Sequence, residues 1–345
     1  MRTAAVPPPL PPLPLSAEPL PGSDLADRLS WYASTARWAP SKHNTQPWRF
    51  VVRRDCVEVW SDPMRILPAT DPHRREMTIS CGAAVHLACV AARGIGYRPI
   101  ATALPDGPGG PLARLVEAGA WKTTPADRAL LEAVWRRRTD RGPLDAEQLP
   151  PSLPFLLQTS AAEQGATLRL LYTPGDRATL AGLTGRADRL LVLYGGVHRE
   201  LAGWLREEGD LRPDGVPTDH TRGPAASYRA EFLQRDFSGP TGRARPSQDR
   251  PGADRPIVGI LATASDSTRD WLVAGQALAS VLLSATVNGA SASYLNQSVE
   301  NPAIRARLRE QLTHPDVPQL VLRIGAGGAV TPPPRRAVDE VTFSS

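Results

Sequence analysis

The chain is poor in the residues that build metal sites and disulfide frameworks. Its 345 residues hold three cysteines, Cys56, Cys81 and Cys89, in neither a CxxC pair nor a disulfide set. Cys81 and Cys89 stand eight apart on a helical pattern, where a thiol serves as a small buried hydrophobe. The six histidines are scattered with no HExxH or paired-ligand spacing, so no metal site is expected. Lysine occurs only at Lys42 and Lys122. The net charge of +5 therefore rests on dispersed arginines, with no basic run interleaved with aromatics. Phosphate on a small molecule accounts for that surplus, and nucleic acid is not an expected partner. There is no Walker A loop and no GxSxG elbow. Gly325-Ala326-Gly327-Gly328 follows a strand but opens no helix, which excludes a dinucleotide fingerprint. The N-terminus carries prolines where a signal peptide needs an apolar core. The longest apolar helix, near Trp271–Val287, reads as too short and too interrupted by Gln276 to span a membrane. A cytoplasmic protein without a membrane partner is the expectation.

What is present is globular. A hydrophobic content of 41% with 22% charge suits a soluble chain long enough to bury a large core. Residues 1–22 are a proline-rich run expected to be a disordered tail. Ser23 is expected to cap a helix with Leu25, Leu29, Tyr32 and Ala36 on one face. A hairpin follows over Trp48–Val52 and Val57–Trp60, then a proline-broken connector, a helix over Thr78–Arg93 and a strand over Arg98–Leu104. Thr124-Pro125-Ala126-Asp127 is a capping box that starts the next helix. A strand over Ala166–Tyr172 and helices near Asp176–Val192 and Val197–Glu207 lead to residues 211–256, where periodicity is lost apart from a short helix around Ala226–Gln234. A stretch this long is either functional or disordered. Strand Ile257–Thr263, helix Thr268–Asn288, helix Pro302–Leu312 and strand Gln319–Ile324 complete the chain, followed by a TPPPRRAVDEV tail.

The organising stretch is Arg37–Phe50, RWAPSKHNTQPWRF. A helix ends at Pro40, and six polar side chains from Ser41 to Gln46 are then held before a rigid Pro-Trp. Physically this is either a polar connector or a cluster of donors and acceptors at one turn. APSKHNTQPWRF resembles the SPSSxNxQPW segment of nitroreductase-like flavoproteins, in the wording of their Acg-type branch. The resemblance implies FMN contacts from Pro40, Ser41, Lys42, Asn44 and Gln46. Arg137–Leu144, RRTDRGPL, resembles the RRSxRxF segment that grips the FMN phosphate in that superfamily. Arg137, Thr139 and Arg141 alternate, so an extended chain points them one way, and forked guanidiniums suit a phosphate dianion. The other reading is a basic helix end facing its own dipole. Arg335-Arg336 resembles the basic pair that completes the phosphate site, and either arginine can be the one that points inward. Tyr294–Glu300, YLNQSVE, is similar to the segment facing the reactive flavin edge, with Asn296, Gln297 and Ser298 as candidates.

Gly82–Tyr97 lays on Gly275–Ala290 without a gap, pairing Gly82 with Gly275 and Gly96 with Gly289. This repeat, and the division of the motifs between the two halves, lead to one expectation. The fold is α+β, a three-layer α/β/α sandwich of nitroreductase type with mainly antiparallel sheets, and internally duplicated as a single-chain pseudo-dimer. Residues 23–120 form the first half. Residues 121–345 form the second, with 211–256 as a lid anchored by Tyr228, Phe232 and Phe237. The resemblance implies an FMN oxidoreductase that takes NAD(P)H as a transient reductant and acts on a small electron-poor molecule. The flavin carries the chemistry and no protein residue is catalytic. The alternative from another class is a non-catalytic protein that stores FMN beneath its lid.

Overall fold

The computed structural model describes residues 22–193, 195–207, 209–218, 231, 232, 235, 254–328 and 330–344. The proline-rich run, most of the 226–234 helix, Tyr228 and Phe237 lie outside the described residues.

Two helices of 20 residues form the centre, α2 (Arg75–Gly94) and α7 (Thr268–Val287). Both are apolar and long enough to cross a membrane, contrary to the sequence expectation, yet both are largely buried inside the protein. They pack through glycine. A Cβ placed on Gly275 would run into the Ile79 carbonyl oxygen and stand 2.8 Å from the Gly82 Cα, and one on Gly82 would run into Leu272. α2 starts three residues before the expected Thr78. The Asp71 carboxylate reaches forward to accept the Glu76 and Met77 N–H groups at 3.1 and 2.8 Å, satisfying donors that a helix start leaves open. Asp24, rather than Ser23, caps α1 (Leu25–Ala36) by accepting the Asp27 N–H. The capping box at Thr124 and Asp127 forms with both its hydrogen bonds at the start of α3 (Pro125–Arg136).

The first sheet takes the hairpin β1 (Trp48–Val52) and β2 (Cys56–Ser61), then β4 (Ala113–Ala120) and β3 (Tyr97–Ala103), all antiparallel. Helices α1, α2 and α3 cover one face of it. The other face mixes polar side chains with Val51, Val116 and Ile100, and there Glu58 accepts from Arg53, Trp60 and Arg114. The second sheet runs β5 (Thr167–Leu170), β8 (Ile257–Thr263), β10 (Val317–Gly325), β9 (Ser291–Tyr294), again antiparallel. Along β10 the apolar side chains alternate. Leu320, Leu322 and Ile324 pack towards α4 (Leu153–Ala162) and α7. Val321 packs towards α5 (Pro174–Val192), α8 (Gln297–Glu300) and α9 (Pro302–Leu308). The second sheet is thus a three-layer sandwich, whereas the first is covered on one side only. A short parallel pair, β6 (Leu205–Arg206) and β7 (Val216–Pro217), follows α6 (Gly195–Gly203).

The C-terminal residues are not a tail. After the prolines, α10 (Val338–Val341) leads into β11 (Thr342–Ser344), which lies parallel to β1 at the edge of the first sheet. A chain that leaves the second sheet at β10 therefore returns to the first and carries Arg335 across the junction.

Candidate functional site

A pocket opens above the crossing of α2 and α7, with Ile79, Ser80 and Leu278 among its walls. The turn after α1 forms one side. There the Ser41 hydroxyl accepts the Gln46 N–H at 2.9 Å, and His43, Asn44 and Gln46 all take left-handed φ angles of 50°, 54° and 49°. Three non-glycine residues in this region within four positions represent stored strain, which the surrounding contacts hold in place. The contacts are specific. Asn44 donates to the Pro334 carbonyl at 3.1 Å and accepts from Arg335 at 2.9 Å, and Gln46 donates to the Pro213 carbonyl and accepts the Arg336 N–H.

Ten of the thirteen candidate residues line this pocket: Pro40, Ser41, Lys42, Asn44, Arg137, Thr139, Arg141, Asn296, Gln297 and Arg335. Gln46, Ser298 and Arg336 stand behind it. Gln46 and Ser298 are fully buried, and the Arg336 guanidinium turns to Asp62 and the Glu340 carbonyl. Of the arginine pair, Arg335 is the one facing the pocket.

Charge is unevenly distributed along the walls. At one end Arg335 stands among Arg137, Arg138 and Arg37, and its pKa is held well below the ordinary arginine value by burial and by those three like charges. Burial likewise lowers Arg137. A guanidinium keeps its proton in a protein, so these shifts mean positive charge without compensation. Among the described residues none of these four arginines pairs with a carboxylate, and the buried Nε atoms of Arg137 and Arg335 have no hydrogen-bond partner. The parallel bridge between Thr139 and Ala292, with Asp140 N–H donating to the Ala292 carbonyl at 3.0 Å, lays the segment after α3 beside β9 and fixes this end.

The other end is balanced. Lys42 Nζ donates to Glu76 and to the Thr70 carbonyl and lies 3.2 Å from Glu300, which also pairs with Arg235. All four side chains are largely buried. Burial opposes the Lys42 ammonium, but Glu300 and Glu76 outweigh it and raise its pKa. Burial also opposes the Glu300 carboxylate, yet Arg235 and Lys42 hold it down at about 2. His43 is kept neutral by burial and by Lys42 and Arg235. Arg141 also lines the pocket and feels the charge of Arg235. Its pKa falls to about 10 through burial and the charge of Arg235.

Sequence reading missed His43, Glu76, Tyr294, Glu300 and Arg235 in the pocket wall. His43, Tyr294 and Glu300 lay inside the motifs already singled out. Glu76 and Arg235 had no local signal, because what marks them is a partner far away in sequence.

No model of a known family matches the chain. Two Mycobacterium tuberculosis proteins provisionally named NAD(P)H nitroreductases are similar to it. One is 33% identical over 312 residues, covering 88% of this chain and 87% of the relative. The other, called acg, is 31% identical over 312 residues, covering 88% and 91%. Two solved nitroreductases with bound FMN resemble it more loosely. The one from Bacteroides fragilis is 14% identical with a TM-score of 0.36, covering 59% of this chain and 91% of that one. The one from Desulfitobacterium hafniense is 10% identical with a TM-score of 0.37, covering 62% and 97%. On the strength of the two mycobacterial relatives, this chain belongs to the Acg-type branch of the nitroreductase superfamily.

Proposed function

We propose that the chain is an FMN-binding oxidoreductase that uses NAD(P)H to reduce a small electron-poor compound, with one composite flavin site per chain. The carboxylate-free arginine end of the pocket carries this reading. Buried, uncompensated guanidiniums with orphaned Nε donors call for a dianion, and forked charge-assisted hydrogen bonds suit a phosphate monoester. Arg137, Thr139 and Arg335 would hold the phosphate. Pro40, Ser41 and Asn44 would line the flavin from the first half, and Arg141, Asn296 and Gln297 from the second. Lys42 contributes through its contacts with Glu76 and Glu300, which keep the turn closed against α2 and α8. Bound there, FMN would supply hydride chemistry, and the chain's part is to bind, orient and shield.

The duplication belongs to the same proposal. The gapless repeat maps Ile79 onto Leu272 as it maps Gly82 onto Gly275, and the contacts are reciprocal: Gly82 meets Leu272 and Gly275 meets Ile79. Reciprocity of this kind marks an isologous interface about a two-fold axis, which supports a monomer acting as its own pseudo-dimer, with halves near 23–120 and 121–345.

A second reading, flavin storage, draws support from the described residues within 211–256. Gly215 N–H donates to Asn44, Val216 and Pro217 line the pocket, Phe232 is fully buried, and Arg235 pairs with Glu300. Described residues so placed beside the pocket can limit access by a reductant. The direct experiment is titration of the purified protein with FMN and with riboflavin. A preference for FMN that disappears in Arg335→Ala supports the proposal; equal affinity for both flavins contradicts it. Rapid flavin reduction by NADPH favours the reductase, and slow reduction with tight retention favours the store.

A further inference from the structure

The chain leaves the second sheet through Gly325–Gly328, the glycine run that forms no dinucleotide fingerprint, and residues 330–344 then cross to the first half. The crossing starts from a fixed point. The Asp140 carboxylate accepts the Gly142 N–H and the Gly328 N–H, each at 2.8 Å, so one side chain ties the Arg137–Arg141 segment to the departing chain. A Cβ on Gly327 would run into that carboxylate. Beyond this point the hold is mostly polar. Arg335 donates to Asn44 at 2.9 Å, Gln46 accepts the Arg336 N–H at 2.9 Å, and Arg37 donates to the Arg336 carbonyl at 2.8 Å. Among residues 330–344 only Arg336 and Val341 are buried, and β11 pairs with β1 through three residues at a sheet edge. A stretch with so little apolar burial opens at low cost.

Closing this stretch also gathers like charge. The Arg335 guanidinium stands 5.7 Å from the centre of the Trp38 ring and that of Arg37 stands 5.3 Å from the same ring, while Arg335 and Arg137 line one pocket. None of the three pairs with a carboxylate among the described residues, and the buried Nε of each lacks a hydrogen-bond partner. We propose that residues 330–344 are a strap that an anion closes: occupation of the arginine end by a phosphate and docking of β11 on β1 are one linked equilibrium. Without an anion, closure brings buried guanidiniums together against their repulsion. A phosphate dianion replaces that repulsion with charge-assisted hydrogen bonds. Linkage is reciprocal, so a change that loosens β11 also weakens anion binding, although β11 lines no part of the pocket. The inference rests on the flavin reading for the identity of the anion, and on that reading FMN closes the strap whereas riboflavin does not.

Hydrogen exchange at the amides of residues 338–344, measured on the full chain, reads the strap away from the pocket itself. It is followed with no addition, with inorganic phosphate, with riboflavin and with FMN. At about ten times its dissociation constant FMN should slow exchange there by up to about tenfold, and inorganic phosphate should do so at higher concentration. Riboflavin should leave it unchanged. Phe343→Ala supplies the reverse arm. The Phe343 ring lies 4.4 Å from the Arg49 guanidinium at the sheet edge. Its loss should weaken FMN about two- to fivefold while riboflavin keeps its affinity. The inference is overturned by exchange that neither FMN nor phosphate changes, or by equal slowing with riboflavin and FMN. It is equally overturned if Phe343→Ala leaves FMN affinity intact or weakens both flavins alike. Slowing by inorganic phosphate in a protein that binds no flavin would keep the strap and remove the flavin reading.

Discussion

Gly82 and Gly275 meet face to face where α2 crosses α7, and neither can accept a side chain without moving backbone. The pair sets how closely the two helices approach.

Gly275→Ala should destabilise the protein by about 2–3 kcal/mol or more, since overpacking a tight backbone contact forces the two helices apart. Gly182→Ala in α5 is the control. Nothing lies within 4 Å of a Cβ there, and alanine should stabilise the helix by up to about 1 kcal/mol. Chemical denaturation of both variants reads the difference directly.

Asp71 and Glu300 should show opposite pH dependences. Burial and the neighbouring Glu76 raise the Asp71 carboxyl from 3.8 to about 6. The folded state therefore binds this proton more tightly than the unfolded one. The resulting stability is full below about pH 4 and lost as pH rises through 6. Glu300 is depressed from 4.5 to about 2, so its contribution is present above about pH 4.5 and lost as pH falls through 2. Asp71→Asn keeps an acceptor for the start of α2 and should flatten the stability profile between pH 4 and 6. An unchanged profile in that window would remove Asp71 as its source.

Glu300→Gln should cost about 3–5 kcal/mol, because Lys42 and Arg235 would be left buried with their shared carboxylate gone. Arg235→Ala should cost less, since Glu300 keeps Lys42. If the 211–256 segment limits access, Arg235→Ala should also accelerate flavin reduction by NADPH while FMN stays bound. Stopped-flow absorbance measures that rate, and no change would mean that Arg235 does not restrain access.

Much of this arrangement was legible in the chain because its causes are local. The box of Thr124 and Asp127 and the small-residue faces of α2 and α7 are written within a few residues. The segment Arg137, Thr139 and Arg141 was legible only as a motif. The structure brings all three to one pocket wall, beside partners from distant parts of the chain that no local window shows. Strand β4 escaped notice because its later residues, Glu117-Ala118-Gly119-Ala120, lack alternation, and α4 because prolines surround its start. The C-terminus read as a tail since three prolines precede it, and its pairing with β1 spans the whole chain. The ion cluster of Lys42, Glu76, Glu300 and Arg235 is likewise made by long-range folding, so no window of sequence contains it.

The central claim is that one chain builds one complete flavin site from its two halves. The decisive measurement is FMN content per chain together with molar mass from light scattering on the same sample. The account predicts one FMN per chain on a monomer. Two FMN per chain, or flavin held only by a dimer, would contradict it.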